Sequence, residues 1–405
     1  MPGVLPLAPF PILDSHGRSL RATIGEELRV AAPYCLADLT NKYELDTRLW
    51  DVATATGGTV THVPTWSALR ATVTGTTGSR AELCTNTYYK YQAGYLQHVT
   101  LSIVHADAGQ TNQVREWGYF DTENGLFWRL TGTALALVER TSTSGAPVET
   151  VVAKAAWNQD VYAGLDLTKG NLYEIEVQWF GVGTVRYFIN GVLVHEAAHG
   201  NTVAGPYLTT AQLPVAARVV NTGASVGSSL SLICARVVAQ GQTQPPQEWI
   251  SSTETTTGVL VGLTEIPLLS LRPKALYNGV INRAWLLPRV LSLDTESRPV
   301  AYGLRVGGTL TGAAWTSAGT RSAAEFDMTA SAITGGDEIL HGHVEPDLVS
   351  AASLTPFFSI LGLMLRRAGF NGSGVNTTDV VTVTARNAGV GRTDVRTHLT
   401  WAEVR

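Results

Sequence analysis

From about residue 36 to 238, hydrophobic and polar positions alternate with period two. YEIEVQWFG (173–181) is the clearest case. Tyr173, Ile175, Val177 and Trp179 fall on one face, and Glu174, Glu176 and Gln178 on the other, the pattern of a half-buried strand. In TVRYFINGVLVHEA, Asn190-Gly191 separates two apolar runs. A type I′ turn needs positive φ at both central positions, so this pair predicts a hairpin. Asn124-Gly125 in WGYFDTENGLFWRL predicts a second, and Ser144-Gly145-Ala146-Pro147 a third break. Strands at this spacing predict a sandwich rather than parallel βαβ units. After QGQTQPPQEW (240–249), short strands resume in GVLVGL, PLLSLRP, VAYGLRVGG and DVVTVTARN. Phe357, Ile360, Leu361 and Met364 recur at helical spacing and predict a helix within 353–369.

The reading is therefore all-β. An extended proline-rich arm spans 1–35, with Pro2, Pro6, Pro9, Pro11 and Pro33 limiting both helix and ladder. A jelly-roll sandwich follows at 36–239, a linker at 240–249 and a second, smaller sandwich at 250–405.

Composition supports this. Charged residues are only 15% of 405 residues, and Gly numbers 40. The net charge of -4 comes without a basic stripe, which argues against nucleic acid as a partner. PFFSILGLML (356–365) is too short to span a bilayer, and the N-terminus lacks a charged region before its apolar run, so no membrane partner is expected. Cys35, Cys84 and Cys234 form no C-x-x-C pair and read as small buried hydrophobes, with a single disulfide left open.

His195, Glu196 and His199 in HEAAHG match H-E-x-x-H, a zinc-protease pattern that works only on a helix. Here it directly follows the return strand of the Asn190-Gly191 hairpin. The extended metzincin form would need Gly and His where Thr202 and Gly205 stand, and no Asp or Glu lies between Gly200 and Gln247. No metal is expected, and the two histidines are expected to bond to backbone. Glu174 and Glu176 resemble part of a β-glucanase catalytic strand, but Gln178 and Trp179 occupy the place of its last carboxylate. Asp121, Glu123 and Asn124 could meet a Ca²⁺ in a loop, without EF-hand spacing. Asp337-Glu338 after Gly335-Gly336 reads as turn chemistry. Trp117, Trp128, Trp157 and Trp179 are either core or an aromatic shelf. In the shelf reading, Trp117 and Trp128 with Asp121 and Asn124 grip a host glycan.

The blocks REWGYFDTENGLFWRL, ERTSTSGAPVETVVAKAAWNQD and LYEIEVQWFGVGTVRYFINGVLVHEAAHGN, with LPVAARVVNTG, SLICARVVAQG, NRAWLLPRVLSL and HLTWAEVR, resemble a family of tailed-bacteriophage structural proteins. The resemblance covers roughly 60 to 405. The RYFINGVLV hairpin resembles lectin- or laminin-G-like jelly rolls. The resemblance implies a non-enzymatic virion protein without cofactor, of the head decoration, neck or tail-fibre type. It implies assembly in the host cytoplasm as a homo-oligomer, a trimer by preference, with other virion proteins held through the N-terminal arm. The alternative expectation is a glycan-binding receptor module, and a third is a depolymerase or protease.

Overall fold

The computed structural model describes residues 33–240, 248–255, 257–346, 350–354 and 379–405. The proposed arm lies outside these residues except at its end. So do most of the 240–249 linker and most of the helix expected within 353–369.

The strands of the first sandwich are β1 (Pro33–Thr40), β2 (Trp50–Ala55), β3 (Thr59–Val63), β4 (Ala68–Val73), β5 (Arg80–Thr85), β6 (Leu96–His105), β7 (Gln113–Phe120) and β8 (Gly125–Thr131). They continue with β9 (Ala134–Thr141), β10 (Val148–Ala153), β11 (Asn171–Val177), β12 (Val185–Ile189), β13 (Val192–Ala197), β14 (Val215–Asn221) and β15 (Ser228–Gln240). One sheet runs β13-β12-β11-β6-β15-β4-β3, with β1 also on β15. The other runs β10-β9-β8-β7-β14-β5-β2. All these pairings are antiparallel, as a jelly roll requires.

Tyr173, Ile175 and Val177 point inward and are fully buried, so the period-two reading holds to the end of β11; beyond it Gln178 is buried and Trp179 only half-buried, against the expected faces. Trp117 and Trp128 come inward from β7 and β8. Their rings meet Tyr173 at 5.1 Å in edge-on contacts, and Trp128 meets Tyr187 at 5.7 Å. These rings bind the two sheets through large buried area and favourable ring geometry. At Asn190-Gly191 both residues have positive φ, 51° and 77°, as the predicted turn demands. Asn190 also ties the hairpin to its neighbour: its Oδ1 accepts from the Leu172 amide at 2.8 Å.

Asn124-Gly125 differs from expectation, since neither residue has positive φ. Asp121 closes this turn instead. Its Oδ1 accepts from the Glu123 and Asn124 amides at 2.8 and 2.7 Å. An Asx turn thus replaces the expected glycine conformation.

The second sandwich contains β16 (Glu248–Glu254), β17 (Val259–Val261), β18 (Ile266–Pro273), β19 (Leu276–Tyr277), β20 (Val280–Ile281), β21 (Trp285–Thr295), β22 (Val300–Val306) and β23 (Thr309–Thr311). It is completed by β24 (Thr316–Ser317), β25 (Ala324–Asp327), β26 (Ala332–Thr334), β27 (Asp337–Val344), β28 (Ser350–Ser353), β29 (Val381–Asn387) and β30 (Thr393–Val404). One sheet is β16-β30-β21-β28 with β17, and the other β24-β25-β18-β29-β22-β27. Leu269, Leu271, Leu304, Val383, Leu399 and Trp401 are among its buried core. Asp337 and Glu338 begin β27 and pair with Val306 and Arg305. The turn itself is made by Gly335 and Gly336, at φ 69° and 79°.

Cys84 is buried, but Cys35 is exposed on β1 and Cys234 half-buried, which corrects the expectation that all three are core. All three are free thiols.

Candidate functional site

The outer face of the β10-to-β2 sheet carries a row of charges, about one per strand. Glu82 on β5 faces Arg218 on β14, Arg218 faces Glu116 on β7, and Glu116 faces Arg129 on β8, all as direct cross-strand partners. Arg129 then reaches Glu149 on β10 through two bonds, at 2.6 and 2.8 Å, and Glu149 also accepts from Arg140 on β9 at 2.9 Å. Glu116 is fully buried between Arg129, at 2.6 Å, and Arg218. Opposite charges placed directly across a ladder support its register.

Beneath the row lies a small apolar patch of Cys84, Phe120, Phe127, Val138 and Ala216. Arg140 and Arg129 stand over the Phe127 ring at 4.9 and 5.4 Å. Gly118 belongs to this packing, because a Cβ there would lie 2.7 Å from Phe127 Cα. The guanidinium groups therefore roof two phenyl rings, and their ion pairs close the face.

The row changes character at β2. Asp51 shares the outer face with Glu82, one diagonal step away. Burial, together with the charge of Glu82, raises its carboxyl to about 6, and its Oδ2 has no hydrogen-bond partner among the described residues. Burial also raises Glu82, against the opposing pull of Arg218 and Arg80. In Glu149 the balance is reversed: burial pushes up, but Arg129 and Arg140 together hold the carboxyl down at about 2.

None of these residues stood out in the sequence. Each sits singly or with one other charge in a short apolar strand, such as Glu82 in RAELCT or Arg218 in VAARVVN. Their alternation marks an outward face, but only the register of the sheet aligns them.

A second cluster joins the sandwiches. Arg283, just before β21, places its Nη2 2.9 Å from Asp121 Oδ2 and 3.4 Å from Glu123 Oε2. The Trp285 indole donates to the Tyr88 carbonyl at 3.1 Å. Asp121 was one of the expected loop ligands. A guanidinium now occupies the side where a cation would sit.

The expected glycan residues are placed differently from the shelf reading. Trp117 and Trp128 are fully buried, so neither presents a ring to a sugar. Asp121 is taken by Arg283. Asn124 is buried, and its Oδ1 accepts from the amide and hydroxyl of Thr209 at 3.0 and 2.9 Å. These four positions are corrected to core and joint residues.

His195 and Glu196 lie within β13, so H-E-x-x-H sits on a strand and its loop, not on a helix. Glu196 pairs with Arg186 at 2.7 Å, and His195 Nδ1 accepts from the Asn158 amide at 3.3 Å. His199 Nδ1 bonds to the Gly183 carbonyl and its Nε2 to Glu139, both at 2.9 Å, with the ring stacked on Tyr207. One of its two bonds is thus to a carboxylate, not to backbone as expected. Glu174 pairs with His98 at 3.1 Å, and Glu176 lies 3.6 Å from Arg186. Both carboxylates face outward and have partners on neighbouring strands.

No family model and no curated protein matches the chain. Solved structures similar to it include an endo-β-1,4-glucuronan lyase from Trichoderma reesei, with 13% identity and a TM-score of 0.34. An endo-1,3-β-glucanase from Streptomyces sioyaensis has 13% identity and a TM-score of 0.37, and the Emp47p carbohydrate recognition domain 10% and 0.35. Each alignment covers 52% of this chain and 96% of the other. The expectation of a non-enzymatic chain is corrected by these neighbours. The lack of a familiar catalytic motif gives no ground for excluding an activity.

Proposed function

We propose that the chain is a structural protein of a tailed-bacteriophage particle, acting as a rigid block of two sandwiches. The clasp of Arg283 on Asp121 carries this reading, because a protein that works by shape needs its domains in fixed relation. The order of sequence motifs quoted above supports it independently. In this reading the chain assembles on the virion as a homo-oligomer, a trimer by preference among closed cyclic forms. Residues 1–35 then hold neighbouring virion proteins. Quantitative mass spectrometry of purified particles tests the reading. It expects this chain at a fixed multiple of copies per particle, and its absence from washed particles would sink the idea.

A second reading rests on Asp51. A carboxyl near 6 beside a second carboxylate is the kind of proton store that general acid catalysis uses. In this reading the β2 end of the charged row handles a polysaccharide. Release of reducing ends from a polysaccharide panel, abolished by Asp51→Asn, would support it. No release from any member of the panel would end it.

A further inference from the structure

The two sandwiches enclose a cleft of about 480 Å³ at their junction, beside the Arg283 clasp. That is within the range of small-molecule sites, roughly 300–1,000 Å³, which often lie between domains. The first sandwich contributes Glu123, Thr210 and Gln212. The second contributes Tyr277, Arg283 and Arg405. The β19–β20 hairpin forms part of this wall, and its turn is fixed by Asn278 and Gly279, at φ 50° and 80°.

Positive charge in this wall is already engaged. Arg283 is held by Asp121 and Glu123. Arg405 is held by Glu403 at 2.7 Å and by the Tyr277 hydroxyl at 3.0 Å. Asp121 and Glu403, buried behind the wall, and Glu123 in it already neutralise both guanidinium groups. An acidic ligand is therefore disfavoured.

Neutral hydrogen-bonding capacity remains. Glu123 makes one long contact to Arg283 through Oε2, and its Oε1 bonds to no described residue. The Gln212 side-chain amide, half-buried, also makes no bond to the described residues, although the Gln212 backbone N–H donates to Thr210 Oγ1 at 3.0 Å. An amide offers donors and an acceptor together, and a carboxylate accepts from two hydroxyls at once. The Tyr277 ring, with Arg405 5.1 Å from its centroid, adds apolar surface. Hydroxyl-rich ligands with apolar C–H faces match this set.

We propose that the junction cleft binds a short neutral oligosaccharide, with Gln212 and Glu123 reading its hydroxyls and Tyr277 supporting its ring. The proposal does not depend on where the protein resides. The full chain is screened on an array of neutral and acidic glycans, and hits are titrated calorimetrically. The expected result is binding of at least one neutral glycan and no competition by trigalacturonate. Gln212→Ala should weaken binding about tenfold, the size of one lost hydrogen bond. Glu123→Gln should weaken it similarly, with Tm unchanged for Gln212→Ala. A blank array, a preference for acidic glycans, or binding unchanged in Gln212→Ala would each overturn the proposal.

Discussion

Arg283 Nη2 meets Asp121 Oδ2 at 2.9 Å, although 162 residues separate them and both side chains are nearly buried. The Arg283 guanidinium thus bridges the two sandwiches. Removing one partner of a buried pair leaves an uncompensated charge, at a cost of about 3–5 kcal/mol. Arg283→Ala should therefore split the calorimetric unfolding of the chain into two transitions, or widen the gap between existing ones. A single unchanged transition would show that the clasp does not couple the domains.

The charged row predicts a sharp contrast between two glutamates. Glu116 is fully buried between two arginines, whereas Glu296 pairs with Arg396 in an exposed bridge at 3.4 Å. Glu116→Gln should cost a few kcal/mol, and Glu296→Gln no more than about 0.5. Urea titration of the two variants measures the difference.

Two histidines predict opposite pH behaviour. His105 is wholly buried, and burial with nearby Arg115 lowers its pKa to about 3. It stays neutral in the fold but takes up a proton when unfolded, below about 6.5. Stability should fall as pH drops from about 6.5 towards 3, by several kcal/mol from this group. His105→Leu should flatten that slope.

In His199 burial acts downward, but the bond to Glu139 outweighs it and raises the pKa. Its contribution is fully present below about 6.5 and is lost as pH rises through the higher folded value. His199→Gln should therefore cost more near pH 6 than near pH 9, by thermal denaturation at both. An equal cost at both would contradict the pairing.

The Asn190-Gly191 hairpin separates turn chemistry from anchoring. Glycine tolerates the φ of 51° at position 190, so Asn190→Gly keeps the turn. It removes the bond from the Leu172 amide and those from Asn190 Nδ2 to Tyr162 and Asn171. The expected loss is about 1–3 kcal/mol. A neutral outcome would show that only backbone conformation matters there.

The sequence made the fold legible where local pattern decides it. Period-two alternation placed Tyr173, Ile175 and Val177 inward, and Asn190-Gly191 marked its turn. The lack of helical room after Val194 argued against a helix at His195 and His199, which lie on β13 and the loop after it. The charged row was not legible, because Glu82, Glu116, Arg129 and Arg218 come together only through long-range register. Trp117 and Trp128 were ambiguous for the same reason: a tryptophan in a strand belongs to core or surface according to which face the sheet buries. The role of Asp121 was hidden because its partner, Arg283, lies in the other sandwich.

Electron cryomicroscopy of purified tailed-phage particles bearing this gene tests the proposed virion role. A structural role on the virion predicts symmetric density, threefold by preference, in which each copy shows two sandwiches held in one fixed arrangement at the Arg283–Asp121 clasp. Particles that lack such density, or that remain complete and infectious after deletion of the gene, would contradict it.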